Sequence, residues 1–192
     1  MSIAEKRTQN TTMTIEEFLA LPDDGVHREL IEGRLWEGGR TVRNRNHSRV
    51  EARIAWILVN WIRDQPLPRG EVVSGEAGFR LREEPVTLVG IDVAVVSARL
   101  ASASGPVSPY FEGPPLLAVE ILSPSDEHQD IVKKVNLYLK IGVVVWVVDP
   151  DFRTLSVHRA GAEAETFNIS HEVSGDPELP GFRMKVADIF PS

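Results

Sequence analysis

Apolar and polar positions alternate along much of this chain in short runs, and two longer stretches carry helical spacing. The run RELIEGRLWE predicts two short strands that turn at Glu32-Gly33, as in a tight hairpin. Residues 46–65 carry apolar side chains three and four positions apart, with Asn46 as the expected N-cap and Pro66 beyond the end. The pattern therefore predicts a hairpin followed by a long amphipathic helix.

Further strand-like runs occupy the centre and the C-terminal third of the chain. They are EVVSGEAGFRL, TLVGIDVAVVS, LLAVEIL, VVVWVVDP, TLSVHRA and ETFNIS. A second helix is predicted from about Ser125 to Ile141, with Gly142 at its C-cap. The Pro-, Gly- and Ser-rich residues 98–115 predict a long surface loop. Together these elements predict an α/β or α+β fold, with a mixed central sheet flanked by helices.

Residues 1–12 are polar and predict a flexible N-terminal tail, whereas residues 13–192 predict a single domain. Thr14 and Glu17 form a capping-box pattern, which predicts a short helix at the start of that domain. The composition, 42% hydrophobic and 26% charged, is typical of a soluble globular protein with one sizeable core.

The composition also limits the cellular location and the kinds of catalytic site that we expect for this protein. No run approaches the ~20 apolar residues of a membrane helix, and the N-terminus has no apolar signal segment, so we expect no membrane association. The absence of cysteine excludes disulfides, thiolate zinc sites and cysteine nucleophiles, and it favours the reducing cytoplasm. A net charge of −7 argues against a protein that coats nucleic acid, but it fits carboxylates gathered around a divalent metal.

Common catalytic motifs are missing from the sequence. It contains no phosphate-binding loop, no dinucleotide fingerprint, no G-x-S-x-G and no H-E-x-x-H. Its five histidines are scattered, without the spacing of metal ligands. Nucleotide-phosphate enzymes, serine hydrolases and zinc peptidases are therefore poor interpretations.

Two acids interrupt otherwise apolar strands. Asp92 lies at the start of IDVAVV, and Glu120 lies towards the end of LLAVEIL. If the two strands are antiparallel neighbours, the start of one meets the end of the other, and the carboxylates come together. A buried carboxylate pair is costly, because each charge loses its hydration and the two repel each other. The pair therefore predicts a hard divalent cation with oxygen ligands.

The second predicted helix adds a basic side chain to this pair. The apolar residues that mark its inward face are Ile131, Val135, Leu137, Tyr138 and Ile141. Lys134 lies among them, whereas Lys133 lies on the polar face. We therefore expect the stem of Lys134 to cover apolar surface while its ammonium reaches the carboxylates. Two acids that hold Mg²⁺ (or Mn²⁺) and a lysine that orients water or stabilises negative charge can hydrolyse a phosphodiester.

With these residues in place, the sequence resembles the PD-(D/E)xK nuclease superfamily, and more closely its bacterial restriction endonuclease family. The resemblance rests on RELIEGRL, NHSRV, IDVAVVS, VEILSPSD, KKVNLYLKIGVVVWVVDP and LPGFRMKVADIF, in this order along most of the chain. It implies a restriction-endonuclease-like core, cleavage of DNA, Mg²⁺ as cofactor and a homodimer. The exposed face of the helix that carries Trp56 and Trp61 is one candidate dimer interface.

The resemblance also assigns individual residues. Asp92 matches the first acid of the motif, Glu120 matches the second, and Glu29 matches a further family glutamate. The proline before the first acid is Ile91 here, and the lysine two positions after the second acid is Leu122. In this branch of the superfamily the lysine commonly comes from the next helix, where Lys134 stands.

A basic stretch, residues 40–49, precedes the long helix. Its charged residues are Arg40, Arg43, Arg45, His47 and Arg49, without an acid among them. The stretch predicts contacts with the DNA backbone near the mouth of the site, and a solvated basic loop is the alternative. By resemblance, His47 is expected to line the cleft.

Simpler explanations stay open at this stage. Glu120 could be a strand-edge acid, Asp92 a turn residue, Lys134 a surface lysine and Glu29 a partner of a nearby arginine. The missing strand lysine also leaves open a non-catalytic module that binds DNA or protein on a degenerate nuclease fold.

Overall fold

The structure is a computed structural model, which describes residues 7–37, 44–103, 108–124 and 128–191, with the backbone alone for 7–11. The helices in these ranges are α1 (Ile15–Leu19), α2 (Arg45–Arg63), α3 (Ala98–Ala103), α4 (His128–Lys140) and a 3-10 helix (Val186–Ile189). The strands are β1 (Arg7–Thr12), β2 (Arg28–Ile31), β3 (Arg34–Glu37), β4 (Glu71–Arg82), β5 (Thr87–Val96), β6 (Phe111–Glu112), β7 (Leu117–Ile121), β8 (Val144–Asp149), β9 (Thr154–His158), β10 (Glu165–Asn168), β11 (Glu172–Ser174) and β12 (Arg183–Lys185).

Most of these strands belong to one mixed sheet, which has ten strands within the described ranges. Its main path runs β1-β3-β2-β5-β7-β8-β9-β10, β4 pairs with β5 and β6, and β11 pairs with β12 separately. The central strands β7 and β8 are parallel, and α4 forms the connection between them. This crossover begins at the end of β7, just after Glu120, and places α4 on one face of the sheet.

The sheet separates two apolar layers. Val119 of β7 packs in one layer with Val50, Ile54 and other residues of α2. Its neighbour Ala118 packs in the other layer with α4 residues such as Tyr138. Successive side chains of a strand point to opposite faces, so a strand that is buried on both faces must be apolar throughout. A charged residue in β7 is therefore an exception that requires its own partners.

The predicted hairpin is confirmed. β2 and β3 pair in antiparallel register across Glu32 and Gly33, whose φ angles of 50° and 75° place both in the left-handed region. The predicted fold class, a mixed central sheet flanked by helices, is confirmed as well. In the described ranges, no helix is both long enough and apolar enough to span a membrane.

Several predicted boundaries differ from the structure. Residues 7–12, assigned to a flexible tail, form β1 and pair with β3. The long helix is capped by Asn44 and not Asn46, because the Asn44 side chain accepts the backbone N–H groups of Asn46 and His47. The predicted surface loop 98–115 contains α3 and β6.

The second predicted helix is described from His128, and Ser125 lies outside the described residues. Gly142, with a φ of 79°, follows this helix as predicted for its C-cap.

Candidate active site

The two acids meet at the centre of the sheet. β5 and β7 pair in antiparallel register from Val93 opposite Val119 to Val95 opposite Leu117, so Asp92 and Glu120 stand just beyond the same end of the paired residues. Asp92 and Glu120 are 4% and 6% exposed. The Oδ2 atom of Asp92 accepts the backbone N–H of Ile121 at 2.8 Å. Neither acid is an ordinary exposed strand-edge residue, because each is enclosed by the protein.

Lys134 reaches this pair from α4. Its Nζ atom lies 3.1 Å from each carboxylate oxygen of Glu120. The same ammonium donates to Glu29 Oε1 at 3.1 Å and to the carbonyl oxygen of Gly90 at 3.2 Å. The structure thus brings together Glu120, Lys134 and Glu29 from α4 and two different strands. The ammonium sits among four oxygen atoms, the kind of ligand that a hard cation prefers.

The neighbouring lysine shows that helical phase selects Lys134. Lys133 lies 4.6 Å above the ring of Trp36 and 3.4 Å from Asp130, and about half of its side chain is exposed. The two lysines therefore point in different directions, as the 3.6-residue period requires.

Glu29 is held by the backbone of β5. Its Oε1 atom accepts the N–H of Gly90 at 3.1 Å, and the residue is buried. A Cβ atom at Gly90 would lie 2.7 Å from the carboxylate of Glu76, so a larger residue here would require the Glu76 side chain to move. Glu76 reaches this position from an irregularity in β4 between Ser74 and Ala77, where its φ is 60°. Sequence reasoning missed Glu76, since a bulge shifts the alternation on which that reasoning depends.

His47, which the sequence proposed as a DNA contact, is fully buried and offers no exposed surface for DNA in this structure. Its Nε2 atom lies 3.2 Å from Asp92 Oδ1, and its Nδ1 atom lies 3.7 Å from Glu51 Oε2. Glu51 in turn accepts the backbone N–H of Gly75 at 2.8 Å. His47 therefore connects the first turn of α2 to Asp92, which fits the expectation that it lines the site.

The arginines of the basic stretch have different positions. Arg45 and Arg49 are exposed in the first turns of α2, on either side of the buried His47. Arg40 and Arg43 lie outside the described residues. The two exposed cations therefore point away from the buried face of α2 on which His47 contacts Asp92.

Tyr138 is a site residue that the sequence assigned only to the apolar face of the helix. It is fully buried, and its hydroxyl donates to Glu120 Oε1 at 2.8 Å. It follows Lys134 by four residues, so the two side chains lie one above the other on α4. That spacing is the signal that could have placed Tyr138 in the site.

The carboxylates differ in their affinity for protons. Burial raises the pKa of Glu120 to about 7, helped by the charges of Asp92 and Glu29 and opposed by Lys134 and Tyr138. Burial would raise the pKa of Asp92. Its interactions with His47 and the Ile121 N–H and the charge of Lys134 outweigh burial, so the pKa of Asp92 is lowered. At neutral pH, Asp92 is ionised while Glu120 is close to its midpoint.

Lys134 is a cation at neutral pH. Burial opposes its charge, but the carboxylates of Glu120 and Glu29 outweigh burial and hold its pKa well above the ordinary value. An ammonium donates hydrogen bonds and cannot accept a proton, which excludes Lys134 as a general base in this state.

A divalent metal fits the donors that are present. Asp92 and Glu120 offer charged oxygen ligands from adjacent strands, and Mg²⁺ commonly binds one or two carboxylates and keeps several waters. Within the ranges that the structure describes, no three His, Asp or Glu side chains are grouped so as to hold a metal ion. Among the described residues, Asp92 and Glu120 would be the carboxylate ligands for such a metal.

The fold and this buried cluster define a restriction-endonuclease-like protein. Residues 15–187 match the Uma2 family, described as "Putative restriction endonuclease", and the chain belongs to this family. The structure is similar to that of a "putative nuclease belonging to DUF820" from Anabaena variabilis ATCC 29413. The two are 22% identical and superpose with a TM-score of 0.78 over 93% of this chain and 97% of that one. Among curated proteins, none matches the sequence.

Proposed function

We propose that this protein is a Mg²⁺-dependent endonuclease that hydrolyses phosphodiester bonds in DNA, with Mn²⁺ as a possible substitute. The observation that carries the proposal is the convergence of Asp92, Glu120 and Lys134 in one buried cluster. Membership of a restriction endonuclease family supports the same reaction. Buried like charges are retained at a cost to stability, which functional sites commonly accept.

Each residue has a specific role in this proposal. Asp92 and Glu120 are the metal ligands, and the bound metal would polarise the phosphate and lower the pKa of a bound water. Lys134, as a permanent cation, orients the attacking water and stabilises negative charge on the phosphate oxygens. Glu29 orients the Lys134 ammonium through the 3.1 Å contact.

DNA would approach along the start of α2. Arg45 and Arg49 are exposed in the first turns of α2, where they could contact phosphates, whereas His47 points to the buried side of the helix and contacts Asp92. Arg43 is proposed as a further phosphate contact from the sequence alone. These cations would supply affinity that depends on salt rather than on base sequence.

A homodimer in the cytoplasm completes the proposal, because two copies could cut the two strands of a duplex. The candidate interface on α2 narrows to the face around Trp56, which is 68% exposed. Trp61 packs instead edge-on against Phe182, and its indole N–H donates to the Pro180 carbonyl at 3.2 Å. Trp61 therefore contributes to the core, as the ordinary use of a tryptophan would suggest.

The function is tested by incubating the purified protein with supercoiled plasmid and with linear DNA, in Mg²⁺, in Mn²⁺ and in a chelator. We expect cleavage that requires a divalent metal. DNA binding without cleavage in either metal would contradict the proposal and favour the non-catalytic module, for which the leucine at position 122 is the supporting feature.

Metal binding should depend on pH through Glu120. Because the pKa of Glu120 is about 7, its carboxyl group holds a proton below that pH, and the metal must displace this proton. Asp92 has a lowered pKa and stays ionised over the same range. We expect the Mn²⁺ association constant to fall about tenfold per pH unit below pH 7 and to level off above about pH 8.

Titration calorimetry between pH 5.5 and 8.5, without DNA, measures this dependence. The variant Glu172→Gln, which changes an exposed carboxylate beside Arg183, serves as the control and should keep the pH dependence of the wild type. An association constant that is independent of pH in the wild type would contradict the assignment of Glu120 as a ligand.

A further inference from the structure

We propose that Tyr138 is a positioning residue, whose hydroxyl holds Glu120 in its metal-binding orientation when Lys134 turns from this carboxylate to the phosphate. The inference rests on the proposed function and adds a residue to its site. Tyr138 touches neither the proposed metal nor the DNA, because it is fully buried in the layer between α4 and the sheet.

One helix, α4, brings two hydrogen-bond donors to the carboxylate of Glu120. Lys134 Nζ lies 3.1 Å from both oxygens of Glu120, and the Tyr138 hydroxyl donates to Oε1 at 2.8 Å. The two donors are four residues apart and therefore approach from successive turns of α4. Glu120 is thus fixed from one side by donors of different charge.

The difference in charge separates their roles. The ammonium of Lys134 is a cation, so it competes with a divalent metal for the oxygens of Glu120. The hydroxyl of Tyr138 is neutral and occupies only part of the acceptor capacity of Oε1. It can therefore keep its hydrogen bond while Oε2 binds a metal, whereas Lys134 cannot keep both of its contacts.

The Tyr138 hydroxyl also favours the charged form of Glu120. A hydrogen bond to an ionised carboxylate stabilises the ion, and the Tyr138 hydroxyl donates such a bond to Glu120 Oε1 at 2.8 Å. The rigid ring fixes the direction of the bond, since the residue has no exposed surface. Partners of metal ligands that orient them in this way commonly affect metal affinity about 10- to 100-fold.

A simpler explanation is that a buried tyrosine hydroxyl needs some acceptor, and that Glu120 merely provides one. The two explanations make different predictions for Tyr138→Phe, which keeps the ring in the core. A structural role predicts lower stability with unchanged metal affinity. A positioning role predicts weaker metal binding that a higher metal concentration overcomes.

The experiment compares the wild type, Tyr138→Phe and Tyr110→Phe, the last being the matched control at the other tyrosine of the chain. Mn²⁺ binding is measured by calorimetry at pH 8.5 without DNA, and DNA cleavage is measured across Mn²⁺ concentrations. We expect Tyr138→Phe to bind Mn²⁺ about 10- to 100-fold more weakly. Its cleavage rate should recover at correspondingly higher Mn²⁺, while Tyr110→Phe should behave as the wild type.

The outcomes distinguish this inference from the proposed function. If wild type binds Mn²⁺ and cleaves DNA, but Tyr138→Phe has the same Mn²⁺ affinity, the positioning role is overturned and the function stands. If the wild type binds no Mn²⁺, the proposed function fails and the inference falls with it. If Tyr138→Phe is too unstable to bind at 25 °C, Glu120→Asp provides a second test. Its shorter side chain withdraws from the Tyr138 hydroxyl, and wild-type Mn²⁺ affinity in that variant would also overturn the role.

Discussion

Lys134→Met is expected to lower the rate of DNA cleavage by about 10²- to 10³-fold, the usual cost of removing one donor that stabilises transition-state charge. Methionine keeps an unbranched apolar stem along the core but removes the ammonium that contacts Glu120 and Glu29 at 3.1 Å. Because Lys134 is not a metal ligand, Mn²⁺ binding at pH 8.5 should persist in the variant. Single-turnover cleavage and calorimetry measure the two properties separately.

Lys133→Met is the matched control for this prediction. Lys133 is the adjacent residue, is about half exposed, and contacts Trp36 and Asp130 instead of the site. Its variant should cleave DNA at the wild-type rate. A rate for Lys134→Met within about tenfold of the wild type would show that the helix does not supply the catalytic lysine.

The metal-free stability of Lys134→Met should also change. Removing one partner of a buried ion pair leaves uncompensated carboxylates and commonly costs about 3–5 kcal/mol, of which protonation of Glu120 can recover part. A divalent metal would replace the missing positive charge. Mn²⁺ should therefore raise the Tm of the variant more than that of the wild type.

Glu120→Gln is expected to abolish measurable cleavage, with a loss of about 10³-fold or more, because the charged ligand contributes several kcal/mol through the metal it binds. The substitution keeps the size of the side chain, so the apolar layers around β7 should pack as before. The raised pKa of Glu120 shows that burial already disfavours its charged form. Replacing this carboxyl group by a neutral amide should therefore leave the Tm close to the wild-type value. The loss of cleavage in this variant would then come from the missing carboxylate ligand and not from unfolding.

The matched control is Glu172→Gln, which makes the same change at an exposed position on β11 beside Arg183. It should cleave DNA as the wild type does. Cleavage by Glu120→Gln at a similar rate would exclude this carboxylate from the mechanism.

The positions of Asp92, Glu120 and Lys134 could be predicted from the sequence, because the strand period and the helical period are enough to place them. A strand alternates with a period of two, so an acid in each of two apolar strands had to face a buried surface. Antiparallel pairing of β5 and β7 then set Asp92 and Glu120 just beyond the same end of the paired residues. The helical period separated Lys134 from Lys133, and the structure places the two lysines on different faces.

The prediction that His47 contacts DNA came from the composition of the stretch and not from helical geometry, and the structure buries this residue. Residues 40–49 contain four arginines and no acid, and this suggested an exposed DNA contact. Yet His47 precedes Val50 by three residues and Ile54 by seven, so the helical period already placed it on the buried face of α2. Periodicity was the better guide, because neighbours in sequence point in different directions on a helix.

Glu76 and Tyr138 were missed for physical reasons that differ. The direction of Glu76 depends on the irregularity in β4, which no alternating pattern reveals in advance. Tyr138 has an apolar ring and a polar tip, so its position on the inward face was predicted while its hydrogen bond to Glu120 was not.

The most direct test of the central claim is the conversion of supercoiled plasmid to nicked and linear forms by wild type and Glu120→Gln, side by side in Mg²⁺. The cluster of Asp92, Glu120 and Lys134 predicts cleavage by the wild type, none in chelator, and none by a variant that retains its Tm. Equal cleavage by the two proteins, or no cleavage by the wild type in Mg²⁺ or Mn²⁺, would contradict it.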